Sequence, residues 1–197
     1  MRIISGKHKG RRIELGKHNP ADIRPTSDFA REAIFNILAH SKHGLNGHSF
    51  EDQRVLDVFC GTGAFGLEAL SRGAAEVTFI DQAREAIVTA RQNAERLGET
   101  EHADFLLADA TKLSRARKTY SLIFLDPPYF GKLIVPTLKS LHSGGWIDKD
   151  ALIILEHDAK ETIELPEGFS VIDERRYGRA MVKLLNIPSP LRGEGGA

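Results

Sequence analysis

An α/β fold built on a largely parallel sheet is what this 197-residue sequence predicts, on three observations. From Val55 onward, short apolar runs alternate with stretches of helical periodicity. A glycine-rich turn joins the first of those runs to the first of those helices, and the last two apolar runs flank a polar connection containing Gly178, as an antiparallel pair does. The length suits one domain, and 41% hydrophobic residues exclude a disordered or fibrous chain. One domain over residues 1–187 is therefore expected, with 1–40 as an N-terminal extension. Residues 188–197, rich in proline and glycine, are expected to be a disordered tail.

Each element has its own local reason. Arg2–Ser5 and Arg11–Leu15 read as two short strands joined by Gly6-Lys7-His8-Lys9-Gly10. Arg24-Pro25-Thr26-Ser27 is an extended step before proline followed by a helix cap. Phe29, Ala33, Ile34, Ile37 and Leu38 then recur at helical spacing and predict a helix over about Asp28–Ala39. Residues 44–52 are polar and read as a loop. Val55–Phe59 is the next strand, Ala64–Arg72 a helix stopped by Gly73, and Val77–Ile80 another strand. Ala83, Ile87, Ala90, Ala94 and Leu97 step by four and three along an amphipathic helix that Gly98 ends. Phe105–Leu107, Leu122–Leu125 and Leu152–Leu155 are further strands, with a helix around Ile134–Leu141, and Phe169–Asp173 with Met181–Asn186 close the sheet as a hairpin. A parallel sheet of this kind is covered on both faces and binds ligands beyond the carboxyl ends of its strands.

Cys60 is the one cysteine, so no internal disulfide framework exists, and the eight histidines show no metal-ligand spacing. These features predict a cytoplasmic protein with no metal. The first residues lack the apolar stretch of a leader, and no run approaches the ~18 apolar residues of a membrane span, so no membrane partner is expected. Net charge is zero, yet residues 1–27 carry seven basic side chains against Glu14 and Asp22. Arg2, Lys7, Lys9, Arg11, Arg12 and Arg24 are thus candidate contacts to a polyanion, with an ordinary solvated hairpin as the other reading.

Gly61-Thr62-Gly63-Ala64-Phe65-Gly66 lies between a predicted strand and helix, where small residues let backbone amides approach a ligand. The loop suits a dinucleotide or an adenosyl group, and Asp81, ending the next strand, can grip ribose hydroxyls in either. Asp57 stands inside an apolar strand, an expensive place for an acid unless it faces a ligand or orders loop amides. Asp109 can meet an adenine amino group or cap the segment from Thr111. Cys60, in the glycine turn, reads as a small packed residue, and His157, after the Leu152–Leu155 run, as a solvated loop residue.

Asp126-Pro127-Pro128-Tyr129 follows the strand Leu122–Leu125. Two prolines end the strand and remove two backbone donors, leaving carbonyl oxygens and a carboxylate as acceptors beside an aromatic ring. That cluster suits a planar exocyclic amine, with Tyr129 or Phe130 stacking on the base.

With these motifs, the chain resembles the class I S-adenosylmethionine-dependent methyltransferases that modify nucleobase amino groups. More narrowly, it is similar to the bacterial small-subunit ribosomal RNA guanine 2-amino methyltransferase family. The resemblance is carried by Arg2-Ile3-Ile4-Ser5-Gly6, Arg24-Pro25-Thr26-Ser27-Asp28 with Arg31-Glu32 and Phe35-Asn36, Leu56-Asp57-Val58-Phe59-Cys60-Gly61-Thr62-Gly63 and Leu67-Glu68-Ala69-Leu70-Ser71-Arg72-Gly73-Ala74, and it covers about residues 1–186. Cys60 and Thr62 stand where that family commonly has alanine and serine. The resemblance implies a Rossmann-like, mostly parallel seven-stranded sheet with an antiparallel C-terminal strand, plus an N-terminal hairpin and helix. It implies methyl transfer from S-adenosylmethionine to a guanine 2-amino group in small-subunit (16S) RNA, free or in an assembling 30S particle, by a monomer. The catalytic group it implies is Asp126, Pro127, Pro128 and Tyr129. The cofactor-binding group is Asp57, Phe59, Gly61, Thr62, Gly63 and Gly66, with Asp81, Gln82, Asp109 and Ala110.

Other functions weighed are an adenine amino methyltransferase on DNA, for which the chain leaves too little room for a target-recognition region, and a nonenzymatic RNA-binding assembly factor of the same fold. A nicotinamide dehydrogenase leaves Asp-Pro-Pro-Tyr unexplained.

Overall fold

The computed structural model describes residues 1–16, 28–40 and 50–187. Arg24, the Pro25-Thr26-Ser27 cap and the tail from Pro188 lie outside the described residues. In chain order the elements are α1 (Asp28–His40), β1 (Arg54–Val58), α2 (Ala64–Ser71), β2 (Glu76–Asp81), α3 (Arg84–Leu97), β3 (Ala103–Leu107), β4 (Tyr120–Leu125), α4 (Ile134–Ser143), β5 (Ile147–Asp158), β6 (Ser170–Tyr177) and β7 (Ala180–Asn186). The strands form one sheet in the order β3-β2-β1-β4-β5-β7-β6. β1 to β5 pair in parallel, and β7 runs antiparallel to both β5 and β6. This is the α/β architecture and the reversed C-terminal strand that the sequence predicts.

Alternation along the strands sends side chains to two cores. Val55, Phe79, Leu122, Phe124 and Ile154 pack with α1, α2, α3 and the N-terminal hairpin. Leu56, Ile80, Ile123, Leu125 and Leu155 pack with α4 on the other face. Stacked rings tie α1 to the sheet through Phe35 on Phe65 at 4.8 Å and Phe65 on Phe124 at 4.0 Å. On the α4 face, the buried Tyr120 hydroxyl donates to Thr78 Oγ1 at 2.8 Å, and Trp146 Nε1 donates to the Ser114 carbonyl at 2.9 Å. Both aromatic residues thereby satisfy their polar ends inside the core. No helix among the described residues is long and apolar enough to cross a membrane.

Three expectations need correction. The N-terminal segment folds back on itself, but a single bridge, Arg2 with Arg12, replaces the two expected strands. The amides of Ile4 and Ser5 donate instead to the Glu68 carboxylate at 2.7 and 3.0 Å, which draws that side of the hairpin onto α2 and ends the ladder. β5 is 12 residues long, not four, because β7 lies alongside it as far as Asp158. His157 is consequently a buried strand residue and not a solvated loop residue. Its Nδ1 donates to the Asp158 carbonyl at 2.9 Å, and burial holds its pKa below the ordinary histidine value.

Candidate active site

The chain leaves β1 on one side towards β2 and returns on the other side as β4, so the crevice between the carboxyl ends of β1 and β4 is a topological switch point. Asp57 stands inside β1, 1% exposed, and its Oδ2 accepts the Gly66 amide at 2.9 Å. Burial pushes its carboxyl up to about 8, with the neighbouring charges of Asp126 and Asp81 adding to the effect. Gly66 is needed for close helix–strand approach: a Cβ there would lie 2.4 Å from the Phe79 ring. Asp57 therefore does what an acid in an apolar strand must do, ordering the loop amide it faces.

Asp81 fastens the glycine loop from the next strand. Its Oδ2 accepts the Gly61 amide at 3.0 Å and its Oδ1 the Ala83 amide at 2.9 Å, linking the loop to the start of α3. The Cys60 amide donates to the Ile80 carbonyl at 3.0 Å, and the Gly63 amide to the Cys60 carbonyl at 2.8 Å. Phe59 has φ 63°, a costly conformation for a residue with a side chain, at the bend where β1 gives way to the loop. Cys60 is buried, and burial followed by the Asp57 charge raises its thiol pKa, as suits a packed residue rather than a nucleophile. Thr62 and Gly63 are buried, whereas Gln82 is exposed beyond β2.

Asp109 follows β3 and caps the short helical turn Ala110–Lys112, accepting from the Thr111 hydroxyl at 2.7 Å and the Thr111 amide at 2.9 Å. Those two bonds hold its carboxyl below the usual range, and the side chain stays exposed. Capping, one of its two sequence readings, is what the contacts display. Ala110 is buried in the α4-side core.

The Asp126 amide meets the Val58 carbonyl at 3.5 Å, joining the catalytic candidate to the strand that bears Asp57. Asp126 is half-buried, Pro127 buried and Pro128 exposed. Tyr129 is half-buried, and its hydroxyl donates to Glu156 Oε1 at 3.4 Å. Burial, and then the Glu156 charge, raises the phenol pKa, so Tyr129 is a neutral hydrogen-bond donor. The Arg179 guanidinium lies 5.8 Å from the centroid of its ring. Phe130 is 54% exposed with φ 59°, a strained and accessible aromatic next to the motif.

The structure thus gathers Asp57, the 61–66 loop, Asp81, Gln82, Asp109 and Asp126–Tyr129 along the carboxyl edge of β1 to β4. The cations of residues 1–16 lie elsewhere. The Lys7 amide donates to the Ser71 carbonyl at 2.8 Å, and Lys7 Nζ pairs with Glu99 at 2.8 Å, at the ends of α2 and α3 that return to the amino edge of the sheet. His8 also bonds Glu99, and Arg11 donates to the Arg96 carbonyl. Burial opposes ionisation of Glu99, but Lys7 and His8 outweigh it and lower its pKa. Arg2 donates to the Gly10 carbonyl at 2.8 Å, while Lys9 and Arg12 are exposed, without a side-chain partner among the described residues.

Sequence reasoning missed Glu156, Asp158, Arg179 and Asn93. Glu156 carried a signal, since it directly follows an apolar run, as Asp126 does, with Asp158 two positions further on. Asn93 did not: its Nδ2 donates to the Glu14 and Thr62 carbonyls, both at 3.0 Å, and its Oδ1 accepts the Glu14 amide at 3.0 Å, joining hairpin to glycine loop.

Fold and site together define a methyltransferase of the class I, Rossmann-like type. The chain belongs to the family described as Conserved hypothetical protein 95, which it matches over residues 1–186, hairpin included. It is 37% identical over 171 residues to YlbH of Bacillus subtilis (strain 168), covering 85% of this chain and 86% of that protein. It is 30% identical over 192 residues to the Ribosomal RNA small subunit methyltransferase D of Escherichia coli (strain K12), covering 93% of this chain and 88% of that protein. The solved structure of the Escherichia coli protein yhhF superposes with a TM-score of 0.78 at 30% identity, covering 94% of this chain and 96% of that one.

Proposed function

We propose that the protein transfers a methyl group from S-adenosylmethionine to the exocyclic 2-amino group of a guanine in small-subunit ribosomal RNA. The observation that carries this reading is the placement of Asp126 beside β1: a carboxylate followed by two prolines stands at the switch point, one strand from the amide-lined glycine loop. The name of the Escherichia coli relative supports the choice of RNA.

The residues present fit a cationic adenosyl donor. Beyond its burial, the Asp126 and Asp81 charges raise the cost of ionising Asp57, and a positive ligand between the three relieves it. Gly61, Thr62, Gly63 and Gly66, with Asp57 and Phe59, would hold the donor's amino-acid end, and Asp81, Gln82, Asp109 and Ala110 its nucleoside. When bound, S-adenosylmethionine supplies an electrophilic methyl carbon on a sulfonium that leaves as a neutral thioether.

The chain's own task is alignment. The Asp126 carboxylate and the Pro127 carbonyl accept the two N–H bonds of the guanine amine, which turns its lone pair towards the methyl carbon. Alignment of this kind supplies up to about 7–11 kcal/mol. Phe130 offers an exposed face for the base, worth about 1–3 kcal/mol. Tyr129 is held by Glu156 and keeps the Asp126 turn in place. Asp126 is half-buried and can pass to water the proton that the methylated amine sheds. A paired guanine hides its amine, so the base is taken from a helix or met in a loop. Arg2, Lys7, Lys9, Arg11 and Arg12 contribute positive charge for RNA away from this pocket, and Arg24 is a further candidate cation.

The test is tritium transfer from labelled S-adenosylmethionine to protein-free small-subunit RNA, to assembled small subunits and to DNA, followed by mapping of the labelled base. Label on a guanine 2-amino group is expected. Label on DNA adenine, or none on either RNA substrate, overturns the reading.

A further inference from the structure

The carboxyl edge presents a difficulty for an RNA enzyme. Asp81, Asp109, Asp126 and Glu156 all stand along it, and that concentration of acid repels a phosphodiester chain. Cations at the rim are required, and those of the N-terminal hairpin tip sit at the opposite edge, with Lys7 and Arg11 already engaged. The β6–β7 turn supplies them. β7 is antiparallel to β5 with Asp158 opposite Ala180, so the turn at Tyr177–Ala180 lies at the carboxyl edge, next to the strand that carries Glu156.

We propose that Arg176 and Arg179 on this turn form a clamp for the backbone phosphates flanking the guanine that is methylated. The inference rests on the RNA reading above and extends it to a second surface. Arg179 is built into place. Its Nε donates to the buried Asp158 carboxylate, its carbonyl accepts the Ala159 amide at 2.8 Å, and its guanidinium stands over the Tyr129 ring of the catalytic motif. Asp158 is fixed in turn by the Lys160 amide at 2.9 Å, and that bond, followed by Arg179, keeps its carboxyl ionised below the ordinary range.

Despite these anchors the Arg179 side chain is 55% exposed. Arg176 is exposed too, with its Nε held by the Gly178 carbonyl at 2.9 Å. The Nη groups of both have no acceptor among the described residues. Each guanidinium therefore presents a free, oriented pair of donors, the arrangement that matches two phosphate oxygens. Arg175, one residue earlier, is spent on Asp173 at 3.0 Å and takes no part. Tyr129 belongs to the same turn as Asp126 and has the Arg179 guanidinium over its ring, so Arg179 stands beside the turn that would hold the amine.

The experiment compares the full-length wild type with R176A, which disturbs no buried pair, and R176A/R179K, which keeps a cation for Asp158. Binding to protein-free small-subunit RNA is titrated against salt without methyl donor, and KM and kcat are measured with it. Each lost contact is expected to flatten the log–log salt dependence by roughly 0.7–0.9, and R176A to raise KM for RNA severalfold at unchanged kcat. Unchanged slope and KM in both variants overturn the clamp while leaving the function in place. Weakened binding to assembled subunits but not to protein-free RNA also overturns it, since the turn would then meet a protein. If the wild type methylates no RNA, the function fails, and the donor-free titration still decides the clamp.

Discussion

Asp57 reaches from the first parallel strand to accept the Gly66 amide at 2.9 Å, so one acid fixes the spacing between that strand and the helix that follows the glycine loop. It does so in a place that strongly favours its protonated form, with its carboxyl pushed up to about 8. Folding therefore takes up a proton at this site, because the unfolded chain ionises near the ordinary value of 3.8.

Stability from this group is complete below about pH 4 and falls as pH rises towards about 8. Between about pH 5 and about pH 8 the wild type is expected to lose of the order of 3 kcal/mol relative to Asp57→Asn, which cannot ionise. Urea unfolding at several pH values measures the difference. Parallel pH profiles for the two proteins would show that Asp57 is ionised in the fold.

Asp126→Ala removes an acceptor for the amine and leaves the glycine loop intact. The expected result is a fall in kcat of about 10²–10³-fold, by analogy with loss of one transition-state hydrogen bond elsewhere. Calorimetric affinity for S-adenosylmethionine should stay within a fewfold of wild type. Full activity in the purified variant would dismiss Asp126 as the amine acceptor.

Asn93→Leu keeps the branched outline of a buried side chain and strips its polar atoms, leaving the Glu14 and Thr62 backbone groups without their partner. A stability loss of about 1–3 kcal/mol is expected. Because Thr62 belongs to the glycine loop, affinity for the methyl donor should fall as well, which separates this variant from a general core defect. Denaturant titration and donor calorimetry on the same preparation provide the check, and an unweakened donor affinity would mean that the loop holds without the helix behind it.

Gly6→Ala should lift the hairpin from α2. A Cβ there would lie 1.8 Å from the Ser71 carbonyl oxygen, and φ is +80°. Backbone atoms cannot yield as a side-chain tip does, so a loss of about 1–3 kcal/mol and faster proteolysis within residues 1–16 are expected. Donor binding should survive, and proteolysis at the wild-type rate would count against the docking described.

The sheet was legible where causes are local. Val55, Val77 and Leu122 sit in apolar runs bounded by turns, and those strands are found within a residue or two of their expected ends. Asp81 and Asp126 were readable as site residues because each directly ends such a run, and Asp57 because it interrupts one. β5 was underestimated because Asp148, Lys149 and Asp150 at one end and Glu156 to Asp158 at the other look like loop. Their strand conformation depends on neighbours from β4 and β7. Arg179 and Asn93 were invisible for the same reason, since Asn93 owes its role to Glu14, 79 positions away.

The docking of the hairpin also imposes an order on biosynthesis. His8 finds its carboxylate only 91 positions later, at Glu99. At about 5–20 residues per second, the hairpin waits roughly five to twenty seconds after its own synthesis before that carboxylate has been translated. A segment made well before its partner is thus among the later parts to reach its final position.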